Sequence, residues 1–218
     1  MVVRPDRSTY KMDLSLTISR FTRAVHDAAV RCPHAIAQNQ AVQQMLAALQ
    51  EPSNPRARAL PHALAACRYL DIALDNARTG PAPIADLANA FGALAPHLNW
   101  YQRAAASSVS DSFFNGHANS HLIGPNGLAE QAGFVVGVSL LAPTVGYPMH
   151  SHPPAEIYVV MSPGEWFRED EGWYSPEMGR IIYHPPGITH AMRAGSAPLL
   201  AIWCLWQGAP GLLVPAPI

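Results

Sequence analysis

The periodicity of the chain changes near residue 105, and that change limits the folds open to it. Before it, Ala, Leu, Gln and Arg dominate and apolar residues recur at helical spacing. Leu14, Leu16, Ile18, Phe21 and Val25 make one face of a first helix, entered through Asp13 as N-cap. A second helix is expected over 35–49, with Val42, Met45, Leu46 and Leu49 inward, stopped by Pro52 and Pro55. Residues 62–78 carry a third, with Leu64, Tyr69, Ile72 and Leu74, ending at Gly80-Pro81. Residues 84–103 read as a fourth, kinked or broken near Pro96. After Ser110 come short apolar, β-branched segments at 134–141, 156–160, 179–183 and 199–206. Gly- and Pro-containing turns at 125–127, 162–164, 185–187 and 195–196 separate them, the pattern of a sandwich or barrel. Helices first and strands afterwards disfavour a parallel βαβ arrangement. The expected class is α+β: a helical cap region over 1–105, then an antiparallel β-barrel over 106–218.

The stretch Tyr147-Pro-Met-His150-Ser-His152-Pro-Pro-Ala-Glu156-Ile-Tyr158 carries the chemistry. In an extended strand residues two apart share a face, so His150 and His152 can offer two imidazoles to one point. The Pro-Pro turn then returns Glu156, with Tyr158 on the same face. His190 follows the turn Pro185-Pro186-Gly187. Three neutral imidazoles and a carboxylate suit a borderline divalent ion: Zn, Fe, Mn, Co or Ni. A bare His-x-His would read more simply as a solvated strand end; the second segment reverses that preference.

Together the two segments, His150-x-His152-x3-Glu156 with Gly164, and Gly179-x5-Pro185-Pro186-Gly187-x2-His190, resemble the paired motifs of the cupin family. Gly146 stands closer to the histidine than is usual there, Gly164 one residue later, and Ala194 where Asn is common. These departures touch turns and not ligands. The resemblance covers roughly residues 130 to 207. It implies a jelly-roll type barrel with one divalent metal in its mouth, and many chemistries use that frame. More narrowly, the helix-then-barrel order, the His-x-His-x3-Glu-x-Tyr strand and the upstream Tyr147 resemble the cupin-type dimethylsulfoniopropionate lyases. That likeness implies cleavage of dimethylsulfoniopropionate to dimethyl sulfide and acrylate, by removal of the α-proton and β-elimination.

The chemistry implied is consistent with these side chains. A metal-bound carboxylate stabilises the enolate-like charge left when the α-proton departs. Tyr is a poor base at its free pKa near 10, but a neighbouring cation favours its phenolate. Tyr158 and Tyr147 are both candidates for the base, and each could instead fill the barrel core. A sulfonium cation asks for aromatic faces, and Phe113, Phe114, Phe134, Trp166, Phe167, Trp173, Tyr174, Tyr183, Trp203 and Trp206 are available. His117, His121 and His184 could support ligands through hydrogen bonds. Other cupin metalloenzymes (a dioxygenase or an isomerase) would use the same four ligands, and a non-enzymatic cupin sensor or binding module would close the coordination sphere.

Composition removes other classes. Among 218 residues 49% are hydrophobic and 13% charged, so a real core is expected. The 14 basic against 15 acidic residues give no basic stripe for nucleic acid. No apolar run has membrane-spanning length, the best being 199–206. Arg4, Asp6, Arg7, Lys11 and Asp13 interrupt the first twenty residues, so no signal peptide is expected. Cys32, Cys67 and Cys204 are too scattered for a disulfide framework. No Gly-rich nucleotide loop and no G-x-S-x-G elbow is present. The expectation is a soluble, cytoplasmic chain whose partner is a small zwitterionic substrate, with no nucleic acid or membrane partner. The sequence leaves its oligomeric state open.

Overall fold

The structure, a computed structural model, describes residues 13–31, 39–56, 60–103 and 111–206. Helix α1 (Leu14–Arg31) opens under Asp13, whose carboxylate accepts the Leu16 N–H at 3.1 Å. Ile18, Phe21 and Val25 are buried as expected, but Leu16 turns outward and is 48% exposed. Helix α2 (Gln40–Leu49) starts later than the pattern indicated, because Asn39 accepts the N–H groups of Ala41 and Val42 and fixes the start. Residues 35–38 of that expected helix lie outside the described residues, as does Cys32.

The expected third helix is two pieces. Residues Ala65–Tyr69 form a 3₁₀ turn, and α3 covers Leu70–Arg78 with Leu74 buried and Ile72 exposed. Helix α4 (Ala82–Leu94) carries Pro83 in its first turn, where no donor is lost, and passes into a 3₁₀ turn at Ala95–His97. The helix therefore ends at Pro96 and does not resume. Instead the His62 N–H donates to the Leu98 carbonyl, the His62 carbonyl accepts from the Trp100 N–H, and Tyr101 pairs with Asn119. A short helix α5 (Asp111–Gly116) leads into the barrel.

The strands are β1 (Asn54–Pro55), β2 (His117–Ile123), β3 (Ala129–Glu130), β4 (Phe134–Leu141), β5 (Gly146–His150), β6 (Ala155–Val160), β7 (Glu165–Arg168), β8 (Gly172–Tyr174), β9 (Ile181–His184), β10 (His190–Arg193) and β11 (Leu199–Trp206). Seven form one sheet, in the order β1-β3-β2-β4-β11-β6-β9, and four form the other, β5-β10-β7-β8. Apart from the single β2–β3 bridge, the pairings are antiparallel. This is the α+β architecture expected, helices followed by an antiparallel β-barrel.

Strands β4 and β6 are buried along their whole length because both faces of the large sheet are covered. Val136, Val138, Leu140, Ile157, Val159, Leu200 and Ile202 pack with Phe21, Leu87 and Phe91 of the helices in one continuous core. The alternate residues Val135, Tyr158, Val160, Ile182, Ala201 and Trp203 face the barrel interior. The helical layer thus seals one side of the sheet, and the opposite side can carry polar chemistry.

Candidate metal centre

Two cross-strand pairs, one from each sheet, meet at the barrel mouth. In the small sheet His150 on β5 stands directly opposite His190 on β10. In the large sheet Glu156 on β6 stands opposite His184 on β9. His152 lies past the end of β5, and its ring reaches the cluster through the Ser151–Pro154 turn; strand parity with His150 is not what places it. Its Nε2 is 3.0 Å from Glu156 Oε2, and His190 Nε2 is 3.1 Å from the same oxygen. Ligand atoms of His150, His152 and His190 fall within 4.8 Å of one another, and so do those of Glu156, His184 and His190.

The backbone decides which nitrogen of each ring is free. His150 Nδ1 lies 2.9 Å from the Pro148 carbonyl, His152 Nδ1 3.0 Å from that of Pro154, and His190 Nδ1 3.0 Å from that of Ile188. A carbonyl can only accept, so each Nδ1 carries the proton. In the neutral ring each Nε2 is then a lone pair; those of His152 and His190 meet Glu156, and His150 groups with the same two rings. Lone pairs facing a buried carboxylate at about 3 Å repel unless a proton or cation stands between them. The Nε2 of His190 and both nitrogens of His184 are buried without an aligned hydrogen-bond partner, although Glu156 is near both rings. This donor set fits a divalent ion, with the N–H to carbonyl bonds setting the tautomers such ligands need.

The electrostatics agree. Burial pushes the Glu156 carboxyl up, but the closeness of the His152, His184 and His190 rings outweighs it and leaves the group well below the carboxylate range. Burial, helped by the neighbouring His190, drops His150 to about 3. Burial likewise lowers His184. Burial lowers His152 too, but its contact with Glu156 prevails and raises it above 6.5.

The cluster opens into a cavity of about 320 Å³ that Arg103, Asn119, Tyr147, Tyr158 and Trp203 help to line. Both candidate tyrosines therefore face it. Tyr158 packs against Trp166 with ring centroids 4.8 Å apart, and burial followed by the Glu156 charge holds its hydroxyl well above 10. Burial also raises Tyr147, against the downward pull of Arg103 and of the Asn119 hydrogen bond. Of the ten aromatic residues named for a sulfonium site, Trp203 alone lines this cavity. Phe134 and Trp166 belong instead to the packed cores.

His117 is structural: it stacks on Phe113, and its Nε2 accepts the Arg103 N–H at 2.9 Å. His121 meets the Tyr101 hydroxyl at 3.0 Å. Tyr101 and Arg103 also line the cavity, a place that the expected fourth helix, running through both, does not give them. From the sequence His184 is expected only in a supporting part, yet register places that ring beside Glu156. The signal available was its position as the last residue of a strand immediately before Pro185-Pro186-Gly187.

Comparison with known proteins follows this geometry. The family profile described as dimethylsulfoniopropionate lyase matches residues 37–201. DddQ of Ruegeria pomeroyi, named a dimethylsulfoniopropionate lyase, is 31% identical over 146 residues, covering 65% of this chain and 71% of that protein. DddL of Cereibacter sphaeroides, assigned as a dimethylsulfoniopropionate lyase, is 25% identical over 155 residues, 68% of this chain; the chain spans 64% of that relative's length. A chain from the crystal structures of the DMSP lyases RdDddP and RnDddQII superposes with a TM-score of 0.70 at 22% identity, covering 92% of this chain and 97% of that one. At that identity the likeness is one of fold.

Proposed function

The chain belongs to the dimethylsulfoniopropionate lyase family, and on that premise we propose that it cleaves dimethylsulfoniopropionate to dimethyl sulfide and acrylate in the cavity beside Glu156. One observation carries the reading: the Nε2 atoms of His152 and His190 meet the buried Glu156 carboxylate, His150 groups with the same two rings, and three tyrosines and an indole line the adjoining cavity. His150, His152, Glu156 and His190 are the proposed ligands of one divalent ion. Such an ion would supply Lewis acidity toward the substrate carboxylate, and positive charge that would favour the Tyr158 phenolate.

Tyr158 Oη then takes the α-proton, the new double bond forms between the α- and β-carbons, and the C–S bond breaks with its electron pair leaving on sulfur. The products are neutral dimethyl sulfide and the acrylate anion, and the proton is held at Tyr158 until it passes to solvent. The Trp203 face is the proposed seat of the sulfonium cation, which has no hydrogen-bond donor of its own. Tyr147 lies 5.0 Å from His150 between ring centroids and orients the carboxylate end.

The test is a product assay without oxygen. Purified protein with added divalent metal should release dimethyl sulfide and acrylate in equal amounts from dimethylsulfoniopropionate under anaerobic conditions. Turnover that needs dioxygen would favour the dioxygenase alternative, and an absence of both products with metal bound would overturn the reading.

A further inference from the structure

Beneath Tyr147 a row of buried polar side chains crosses the cavity face of the large sheet. Asn119 on β2 stands directly opposite Ser139 on β4, and Trp203 on β11 stands opposite Gly137. A Cβ on Gly137 would lie 2.1 Å from the Trp203 ring, so the bare glycine is what lets the indole lie across β4 and reach Ser139. Trp203 Nε1–H donates to Ser139 Oγ at 3.1 Å, Ser139 donates to Asn119 Oδ1 at 2.7 Å, and Asn119 Nδ2–H donates to the Tyr147 hydroxyl oxygen at 3.3 Å. All four residues are buried, at 8% exposure or less.

The direction of this chain is forced. An indole nitrogen can only donate, so Ser139 Oγ is already an acceptor there and its hydrogen must go to Asn119. The reversed amide would leave the Ser139 hydrogen with no acceptor among the described residues. Asn119 therefore presents its NH2 to Tyr147, and the tyrosine oxygen accepts. Among the described residues nothing accepts the hydrogen of Tyr147 in return, and the hydroxyl faces the cavity. Arg103, whose guanidinium sits 6.0 Å from the centre of the Tyr147 ring, contributes a cation to the same wall and has no carboxylate partner among those residues.

We infer that Trp203, Ser139 and Asn119 are positioning residues that turn the Tyr147 hydroxyl into a committed hydrogen-bond donor toward a carboxylate in the cavity. For the identity of the substrate this rests on the lyase reading above; the hydrogen-bond logic does not. Acrylate is a probe that keeps the carboxylate and lacks the sulfonium group. In Zn2+-loaded protein, Ser139→Ala frees the Asn119 amide to turn over and accept from Tyr147. It should weaken acrylate binding, measured by calorimetry, about 10-fold, as loss of a hydrogen bond to a charged group does. Tyr147→Phe should weaken it as much or more.

The deciding arm is the double variant. Because Ser139 acts through Tyr147, adding Ser139→Ala to Tyr147→Phe should change acrylate affinity less than twofold, whereas a merely structural role would repeat the full loss. Asn119→Leu, close in shape, uncharged and without the donor, supplies a second path and should also lose acrylate affinity only while Tyr147 is present. Equal losses in both backgrounds, no loss in either, or a wild type that does not bind acrylate would overturn the inference. Acrylate coupling without dimethyl sulfide release would sink the lyase reading and leave the positioning network standing; release without coupling would do the reverse.

Discussion

His150 and His190 face each other across β5 and β10 with ring centroids 4.2 Å apart, and each points Nδ1 at the carbonyl two residues before it. Two strands of different origin thus present the same local device, a ring whose tautomer its own backbone sets. No distant partner is needed to expose Nε2. The ligand geometry is therefore a property of the strand ends, and it should survive substitutions elsewhere in the barrel.

Metal should stabilise the fold through these residues. A ligand at 100 times its dissociation constant adds about 2.7 kcal/mol to unfolding if it binds the native state alone. Added Zn2+ or Mn2+ should raise the melting temperature of the wild type. Glu156→Gln and His190→Ala should abolish most of that rise while leaving the metal-free melting temperature near the wild-type value. A full rise in the variants would remove these two from the proposed ligand set.

Tyr158→Phe should keep metal and fold but lose turnover by about 10²–10⁴-fold, the range for a general base. The ring still packs on Trp166, so only the hydroxyl is lost. Metal analysis together with kcat decides the matter. Near-normal turnover would pass the part of base to Tyr147, and loss of metal would mark Tyr158 as a ligand.

Gly137→Ala should be disproportionately costly for so small a change. The new methyl would displace the Trp203 indole and break its bond to Ser139, with overpacking of about 1–3 kcal/mol. Urea midpoints measure this directly, and an unchanged midpoint would mean that the indole has another resting place.

Stability should also fall in mild acid. His117 is neutral and buried, its Nδ1–H donating to the Phe113 carbonyl and its Nε2 accepting from Arg103, and burial holds its pKa below the ordinary 6.5. Burial does the same to His121. Below pH 6.5 the unfolded chain therefore binds protons that the native chain refuses, so stability is full above 6.5 and declines as pH drops beneath it. The urea midpoint at pH 5.5 should lie below that at pH 7.5, and the decline should shrink in His117→Gln. A drop of the same size in that variant would acquit His117.

Much of this arrangement was legible in the residues. The ends of β4 and β11 coincide with the apolar runs 134–141 and 199–206, because central strands covered on both faces leave an unbroken hydrophobic signal. Strand β2 was not foreseen. Its sequence His-Ala-Asn-Ser-His-Leu-Ile is polar, and the polar residues His117, Asn119 and His121 turn away from the helical core that Ala118 and Leu122 join. The alternation was present, but a buried polar face reads as a loop until the cavity it lines is known. The same holds for Arg103. Its helical neighbours concealed that the helix stops at the turn around Pro96, and the Tyr101–Asn119 bridge and the Arg103 N–H bond to His117 carry the segment to the site. His184 was out of reach for another reason, since register and not spacing brings it to Glu156.

The central claim, a metal-dependent lyase built on His150, His152, Glu156 and His190, is tested most directly by measuring dimethyl sulfide release against bound metal. Metal-stripped protein reloaded in steps should show an initial rate proportional to metal per chain, reaching its maximum at one ion. Glu156→Ala should show neither binding nor rate at the same additions. A rate that is full in the stripped protein, or that stays at zero while one ion per chain binds, would contradict the account.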